Sequence, residues 1–158
     1  MMNVYKISEY AVRHFVDWTE ASEVIEDMRR AHWKETEAAY RGGHYSPDHG
    51  MYKLCHDLRE AFTIVAYFHG KPIAYAIMLI SDELHMSGSF AYDDSYYVTP
   101  KHRGRGVLDV LLNASEAVSE HYGVGRIVFS DKLFDMRSFF ERKGYTQTTR
   151  LYSKLIGE

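Results

Sequence analysis

The chain has 158 residues, 46% of them hydrophobic and 26% charged, with a formal net charge of −3. That length suits one globular domain over residues 1–158, and the slight acidity argues against a protein that holds nucleic acid by phosphate contacts while weakly favouring a cationic amine as partner. Cys55 is the only cysteine, which excludes an internal disulfide and a cysteine-based zinc site, and the absence of a long apolar run or a secretory signal near the start points to a cytoplasmic protein without membrane contact.

In chain order, residues 3–7 alternate and predict a short strand, after which Ser8 is placed to cap a helix carrying Tyr10, Ala11, Phe15 and Val16. A second helical pattern covers about residues 19–40, with Ala21, Val24, Ile25, Met28 and Ala31 on one side and Glu20, Glu23, Glu26, Asp27 and Arg30 elsewhere as a solvated face. Residues 41–50 hold glycines and Ser46-Pro47-Asp48, and so form a loop. Residues 51–61 predict a short helix that packs Leu54, Cys55 and Leu58. Cys55 has no paired base in view and reads as a small buried apolar residue. His44, His49 and His56 are too irregularly spaced to be read as metal ligands, so no metal is expected.

From Phe62 the apolar period becomes that of strands. Residues 63–68, a turn of His69-Gly70-Lys71-Pro72, and residues 73–80 predict a hairpin of two buried strands. A linker over 81–87 leads to a third strand at 90–98. Then comes YYVTPKHRGRGVLDVLL, residues 96–112, a strand running through a basic turn into a helix that ends near Tyr122 with Gly123 just past it. The short apolar run RIVFS, residues 126–130, is followed by a helix at 136–143 and should lie parallel to the preceding strand. Residues 145–156 predict a last strand that closes the sheet. Most of the 13 tyrosines read as sheet packing, although those near residues 92–97 can line a pocket.

Gly104 and Gly106 remove side chains where the first N–H groups of a helix lack partners and its dipole is positive, a place that holds phosphate. Lys101, His102, Arg103 and Arg105 surround it with donors. An ordinary solvated turn would also look like this. No G-x-x-x-x-G-K-[ST] occurs, and the turn lacks the third glycine of a dinucleotide fingerprint.

Val98-x-Pro100, the turn, the apolar helix and the later run Phe139-Phe140-Glu141-Arg142-Lys143-Gly144-Tyr145 resemble, in this order, the GNAT superfamily of acyl-CoA-dependent N-acetyltransferases. The resemblance covers about residues 62–155. It implies an α+β fold with a mixed central sheet flanked by helices and an extended helical N-terminal part. It further implies that acetyl-CoA is the cosubstrate, its pyrophosphate on the amides of Arg103, Gly104, Arg105, Gly106 and Val107 and its pantetheine arm along Tyr97 and Val98. The acceptor would be an amine on a small molecule or a protein, and a homodimer is compatible with it. Two positions depart from the family pattern. Leu108 stands where a Gly or Ala is usual, and Phe140 stands where a tyrosine often serves as general acid.

An alkyl amine of pKa about 10.4 is mostly protonated at neutral pH, so exposing its lone pair costs about 4–5 kcal/mol. By the two-residue period, Tyr92, Asp94, Tyr96 and Val98 share one strand face, which puts the Asp94 carboxylate in line with the expected thioester as a base acting through water, with Tyr92 and Tyr96 beside the acceptor. The alternative is that Asp93 and Asp94 solvate a strand end or a bulge. Two functions follow: direct acetyl transfer to a primary amine in a ternary complex, or a non-catalytic acyl-CoA-binding or protein-interaction module, for which Leu108 and Phe140 speak. Transfer to a nucleobase or aminoacyl acceptor stays open as a third.

Overall fold

Six strands lie side by side in the order in which the chain makes them. In the computed structural model, which describes residues 5–7, 9–131, 135–152, 154 and 156, these are β1 (Tyr5–Ile7), β2 (Tyr10–Phe15), β3 (Ala61–Phe68), β4 (Lys71–Asp82), β5 (Ser89–Val98) and β6 (Arg126–Val128). The first five pair antiparallel in succession, and β6 joins β5 in parallel. Helices cover both faces. On one, Val107, Val110, Leu111, Ala114 and Val118 of α4 (Val107–His121) pack on Val12, Phe62, Ile64, Ala76, Met78 and Ala91. On the other, Trp18, Ala21, Ile25 and Met28 of α1 (Trp18–Thr36) pack on Phe15, Val65, Tyr75, Ile77 and Tyr97. Each such large side chain contributes roughly 1.5–3 kcal/mol by leaving water. The helices α2 (Ala38–Arg41), α3 (His49–Asp57) and α5 (Arg137–Arg142) complete the chain. This is the mixed sheet with flanking helices that the sequence led us to expect.

Several boundaries differ from the expected ones for physical reasons. Residues 10–15 form a strand and not a helix: Tyr10 and Val12 point into the α4-side core and Phe15 into the other, and the whole run pairs with β3. Four apolar positions fit either period, and the pairing decides. The helix expected over 19–40 ends at Thr36, begins at Trp18 behind an Asp17 cap, and buries Arg29 where Ala31 was expected, Ala31 being exposed. The hairpin turn shrinks to His69 and Gly70, both at positive φ as a two-residue primed turn requires, and Lys71 and Pro72 belong to β4. Of the last strand, residues 145–152 are described and are not in the sheet, with Leu151 and Tyr152 exposed; residues 153 and 155 fall outside the described residues. Tyr145 is anchored, its hydroxyl donating to Glu116 at 2.6 Å.

The sheet has one break that matters for function. Ile77 lies opposite Ser95 and Met78 opposite Asp93, which leaves Asp94 as an extra residue of β5. A bulge of this kind bends its strand and re-aims the side chains on either side. Pairing of β5 with β6 stops at Tyr92 and Val128, so beyond the bulge the two strands part.

His14 offers a test of the packing between β2 and α4. Its ring stands edge-on to Phe62 and Tyr122, its Nε2 is buried without a partner among the described residues, and burial together with His121 and His56 lowers its pKa from 6.5 to about 4. Below pH 6.5 the unfolded chain takes a proton that the folded chain refuses, so stability falls as pH drops from about 6.5 toward 4. His14→Phe should flatten the fall in melting temperature over that interval. An unchanged pH dependence would contradict the buried, neutral state of this ring.

Candidate active site

Between β5 and α4 the chain makes a 3₁₀ turn at Pro100–His102 and then passes through Gly104 and Gly106, both at positive φ, 71° and 79°. No side chain caps α4 at Gly106, and the first bond of the helix is Val110 N to Gly106 O at 3.2 Å. The amides of the helix's first turn before Val110 are left for an external acceptor, whereas the Arg103 amide, expected to join them, donates to Pro100 O at 3.3 Å. A Cβ placed on Gly104 would meet nothing within 4 Å, so the space above the turn is open. It belongs to a cavity of about 770 Å³ bounded by the turn, by Asp93, Ser95, Tyr96, Tyr97 and Val98 of β5, by Ser130 and by Met136 and Phe139.

The turn's cations divide their work. Arg103 does not face the cavity rim as a free donor: its Nε donates to Val98 O at 2.8 Å, its Nη2 to Glu35 at 2.8 Å, and its guanidinium lies 5.3 Å from the Tyr97 ring. The hydrogen bond from Arg103 holds the Glu35 carboxyl below its ordinary pKa. Arg103 therefore fastens the end of β5 to α1, and it fills the Val98 carbonyl. Lys101 and Arg105 stay exposed beside the turn. Leu108 is half-buried, lines the cavity and is not part of the core.

Past the bulge the gap between β5 and the chain after β6 is bridged by side chains. The Asp93 carboxylate accepts from Ser130 N and Ser130 Oγ, both at 2.7 Å, and the Tyr96 hydroxyl donates to Ser130 O at 2.6 Å. Burial, with Asp93 and Asp131 nearby, pushes the Tyr96 pKa up, so it is a neutral phenol at any working pH. Phe140 turns away, stacked on Phe129 at 6.0 Å, and Phe139 lines the cavity in its place.

Asp94 faces a second cavity, of about 540 Å³, enclosed by α1, α3 and the loop before α3. Its Oδ2 accepts from the Tyr52 hydroxyl at 2.6 Å and from Ser95 Oγ at 3.3 Å. Burial and the Asp94 charge raise the Tyr52 pKa, so Tyr52 is a fixed donor to this carboxylate. His32 Nδ1 lies 2.8 Å from the Tyr75 hydroxyl, and its ring stacks on Tyr97 at 5.1 Å. His32, Thr36 and Ser95 line both cavities, which meet at the bulge.

This geometry overturns the shared face expected for Tyr92, Asp94, Tyr96 and Val98. The extra residue interrupts the alternation, so Tyr96 and Val98 pack on the α4 side while Asp94 turns to Tyr52. Tyr92 packs on Phe90 at 5.5 Å and lines neither cavity, nor does Arg105, whereas Tyr97, Val98, Arg103, Gly104, Gly106 and Val107 line the first. The loop histidines do not converge: His49 Nδ1 takes the Trp18 indole N–H at 3.3 Å, and the His56 ring nitrogens lie 2.8 Å from Tyr52 O and 3.0 Å from Thr63 Oγ1. Among the described residues no cluster of three or more His, Cys, Asp and Glu side chains has metal-binding geometry, and no helix is long and apolar enough to cross a membrane. Sequence reasoning missed Tyr52, His32 and Ser95. Two consecutive aspartates inside a strand were the available sign of a bulge.

The profile of the acetyltransferase (GNAT) family matches residues 25–145. Among solved structures, a GCN5-related N-acetyltransferase from Ralstonia eutropha JMP134 is 20% identical with a TM-score of 0.70, the match covering 94% of this chain and 99% of that one. An aminoglycoside acetyltransferase from an uncultured soil metagenomic sample is 13% identical with a TM-score of 0.73, covering 95% and 100%. A predicted acetyltransferase from Clostridium acetobutylicum, solved with acetyl-CoA, is 16% identical with a TM-score of 0.69, covering 99% and 97%. No curated protein matches the sequence at a significant level.

Asp93 is a clamp by this geometry, and its removal should be felt in stability. Asp93→Ala strands the Ser130 N–H and hydroxyl and should cost about 1.5–3 kcal/mol, read as a drop in melting temperature of roughly 2–4 °C per kcal/mol. Asp93→Asn, which keeps one acceptor, should lose less. An Asp93→Ala variant that melts with the wild type would remove the clamp.

Proposed function

Because this chain belongs to the GNAT acetyltransferase family, we propose that it moves an acetyl group from acetyl-CoA to the primary amine of a small molecule or protein, by direct attack in a ternary complex. The observation that carries this reading is the meeting of two cavities at His32, Thr36 and Ser95. One starts at a helix N-terminus with an open glycine cradle, and the other holds a carboxylate.

The residues of the first cavity fit the cosubstrate. The uncapped amides at the start of α4 and the open space over Gly104 suit a pyrophosphate, with Lys101 and Arg105 exposed beside the turn, and Tyr97 and Val98 border the way to the bulge. When bound there, the thioester supplies an activated acyl carbon. Asp94, held by the Tyr52 hydroxyl, takes a proton from the incoming ammonium through water. The freed amine nitrogen forms the C–N bond as the C–S bond breaks, the sulfur leaves as a thiolate, which a thiol pKa of about 8.5 permits without a dedicated acid, and the second proton of the nitrogen passes to that thiolate through water. The phenylalanine at 140 is compatible with this chemistry for that reason.

Two variants test the reading from its two ends. Asp94→Asn should lower kcat/KM at neutral pH by about 10²–10⁴-fold, with near-normal acetyl-CoA affinity, and its rate should recover as pH approaches the amine pKa. Gly104→Val places a branched side chain in the open cradle at a strained φ, at a folding cost of about 1–2 kcal/mol, and should abolish calorimetric acetyl-CoA binding while unfolding stays cooperative. Full activity in the first variant would remove Asp94 as base. Undiminished acetyl-CoA affinity in the second would remove the turn as the cosubstrate's site.

A further inference from the structure

The second cavity contains a charge that acetyl transfer does not use. Arg29 on α1 is only 6% exposed, lines this cavity, and leaves its Nη1 buried without a partner among the described residues. Among the described residues it takes part in no ion pair. Its guanidinium is surrounded by rings, 4.7 Å from Tyr52, 5.0 Å from Trp18 and 5.9 Å from Tyr45. Aromatic faces stabilise a cation but give its N–H groups no lone pair to bond, and although the Tyr52 hydroxyl lies close enough to accept from the guanidinium, Nη1 stays unmet among the described residues. Burying such a group costs several kcal/mol unless an anion meets it, and a planar fork of donors suits a carboxylate.

The same Tyr52 that borders Arg29 holds Asp94 through its hydroxyl, so a cation and an anion stand on two sides of one side chain in one cavity. Asp48 also lines it, but its Oδ1 is occupied by Met51 N at 2.9 Å as the cap of α3. A ligand with a single positive charge would satisfy Asp94 and leave Arg29 as it is. A ligand with both charges satisfies the two.

We propose that the acceptor is an amino acid or related amino-carboxylate, its carboxylate received by Arg29 and its amine turned toward Asp94. This rests on the acetyl-transfer reading for the amine and on Arg29 alone for the carboxylate, and binding measured apart from turnover separates the two. Phenylalanine and phenethylamine, lysine and cadaverine, and histidine and histamine form pairs that differ by the carboxylate only. Each is titrated calorimetrically into the wild type, Arg29→Lys and Arg29→Met, with circular dichroism as the check on folding.

In the wild type the carboxylate member of at least one pair should bind about tenfold or more tightly than its partner, as a charge-assisted hydrogen bond allows. Arg29→Met should erase that preference, and Arg29→Lys should keep part of it, since it retains the charge without the fork. Equal affinities in every wild-type pair, tighter binding of the decarboxylated members, or no binding of any amino acid overturns the proposal, even if Arg29→Met fails to fold. A preserved preference in folded Arg29→Met does so too. Thiol release from acetyl-CoA, followed separately, judges the transferase reading: transfer to decarboxylated amines without carboxylate preference sinks the anion site alone, and carboxylate-selective binding without transfer sinks the chemistry alone.

Discussion

One extra residue in a strand decides the layout of the site. Opposite Ile77 and Met78, β5 carries Asp94 between two paired residues, and the alternation of its side chains reverses there. Asp93 points to Ser130 and Asp94 to Tyr52, and after the extra residue Tyr96 and Val98 return to the face of Asp93. Without the bulge, two neighbouring aspartates would still face opposite ways, but Tyr96 and Val98 would share a face with Asp94 and would leave the α4-side packing. Beyond the same point β5 and β6 no longer pair, which leaves unpaired strand backbone along a cavity. Ordinarily such an edge is a liability. Here Asp93, Tyr96 and Ser130 span it.

Helix α1 completes the site by its periodicity. Arg29, His32, Trp33 and Thr36 fall at positions i, i+3, i+4 and i+7, one face of one helix, and that face lines the second cavity. The apolar stripe of Trp18, Ala21, Ile25 and Met28 holds the helix against β2 to β5, so polar groups in its last turns are carried on a rigid element. Arg103 ties the C-terminal part of this helix, at Glu35, to the end of β5. The distance between the glycine turn and the face bearing His32 is thereby set by a charge-assisted bond.

The glycine turn and the helix after it were legible in the sequence, because both rest on local rules: positive φ, an uncapped helix start and apolar spacing. The hairpin and the parallel entry of β6 were legible for the same reason. The strand at residues 10–15 was not, since Tyr10, Val12 and Phe15 gain their meaning only from pairing with β3, some fifty residues away. Residues 145–152 read as a strand by composition, yet composition supplies no partner. For the site, Asp94 was singled out in the sequence and its surroundings were not: a bulge belongs to a pair of strands, and Tyr52 reaches Asp94 from a helix that sequence spacing cannot orient. Arg29 was hidden among charged neighbours on α1, where Arg30 beside it is exposed.

A crystal structure with acetyl-CoA bound tests the central claim, that two ligands meet at the bulge of β5, most directly. The acyl carbon should lie between His32 and Ser95, with the pyrophosphate over Gly104 and Gly106 and the carbonyl open toward the cavity that holds Asp94. An acyl group directed away from Ser95, or a pyrophosphate bound elsewhere than at the start of α4, would contradict it.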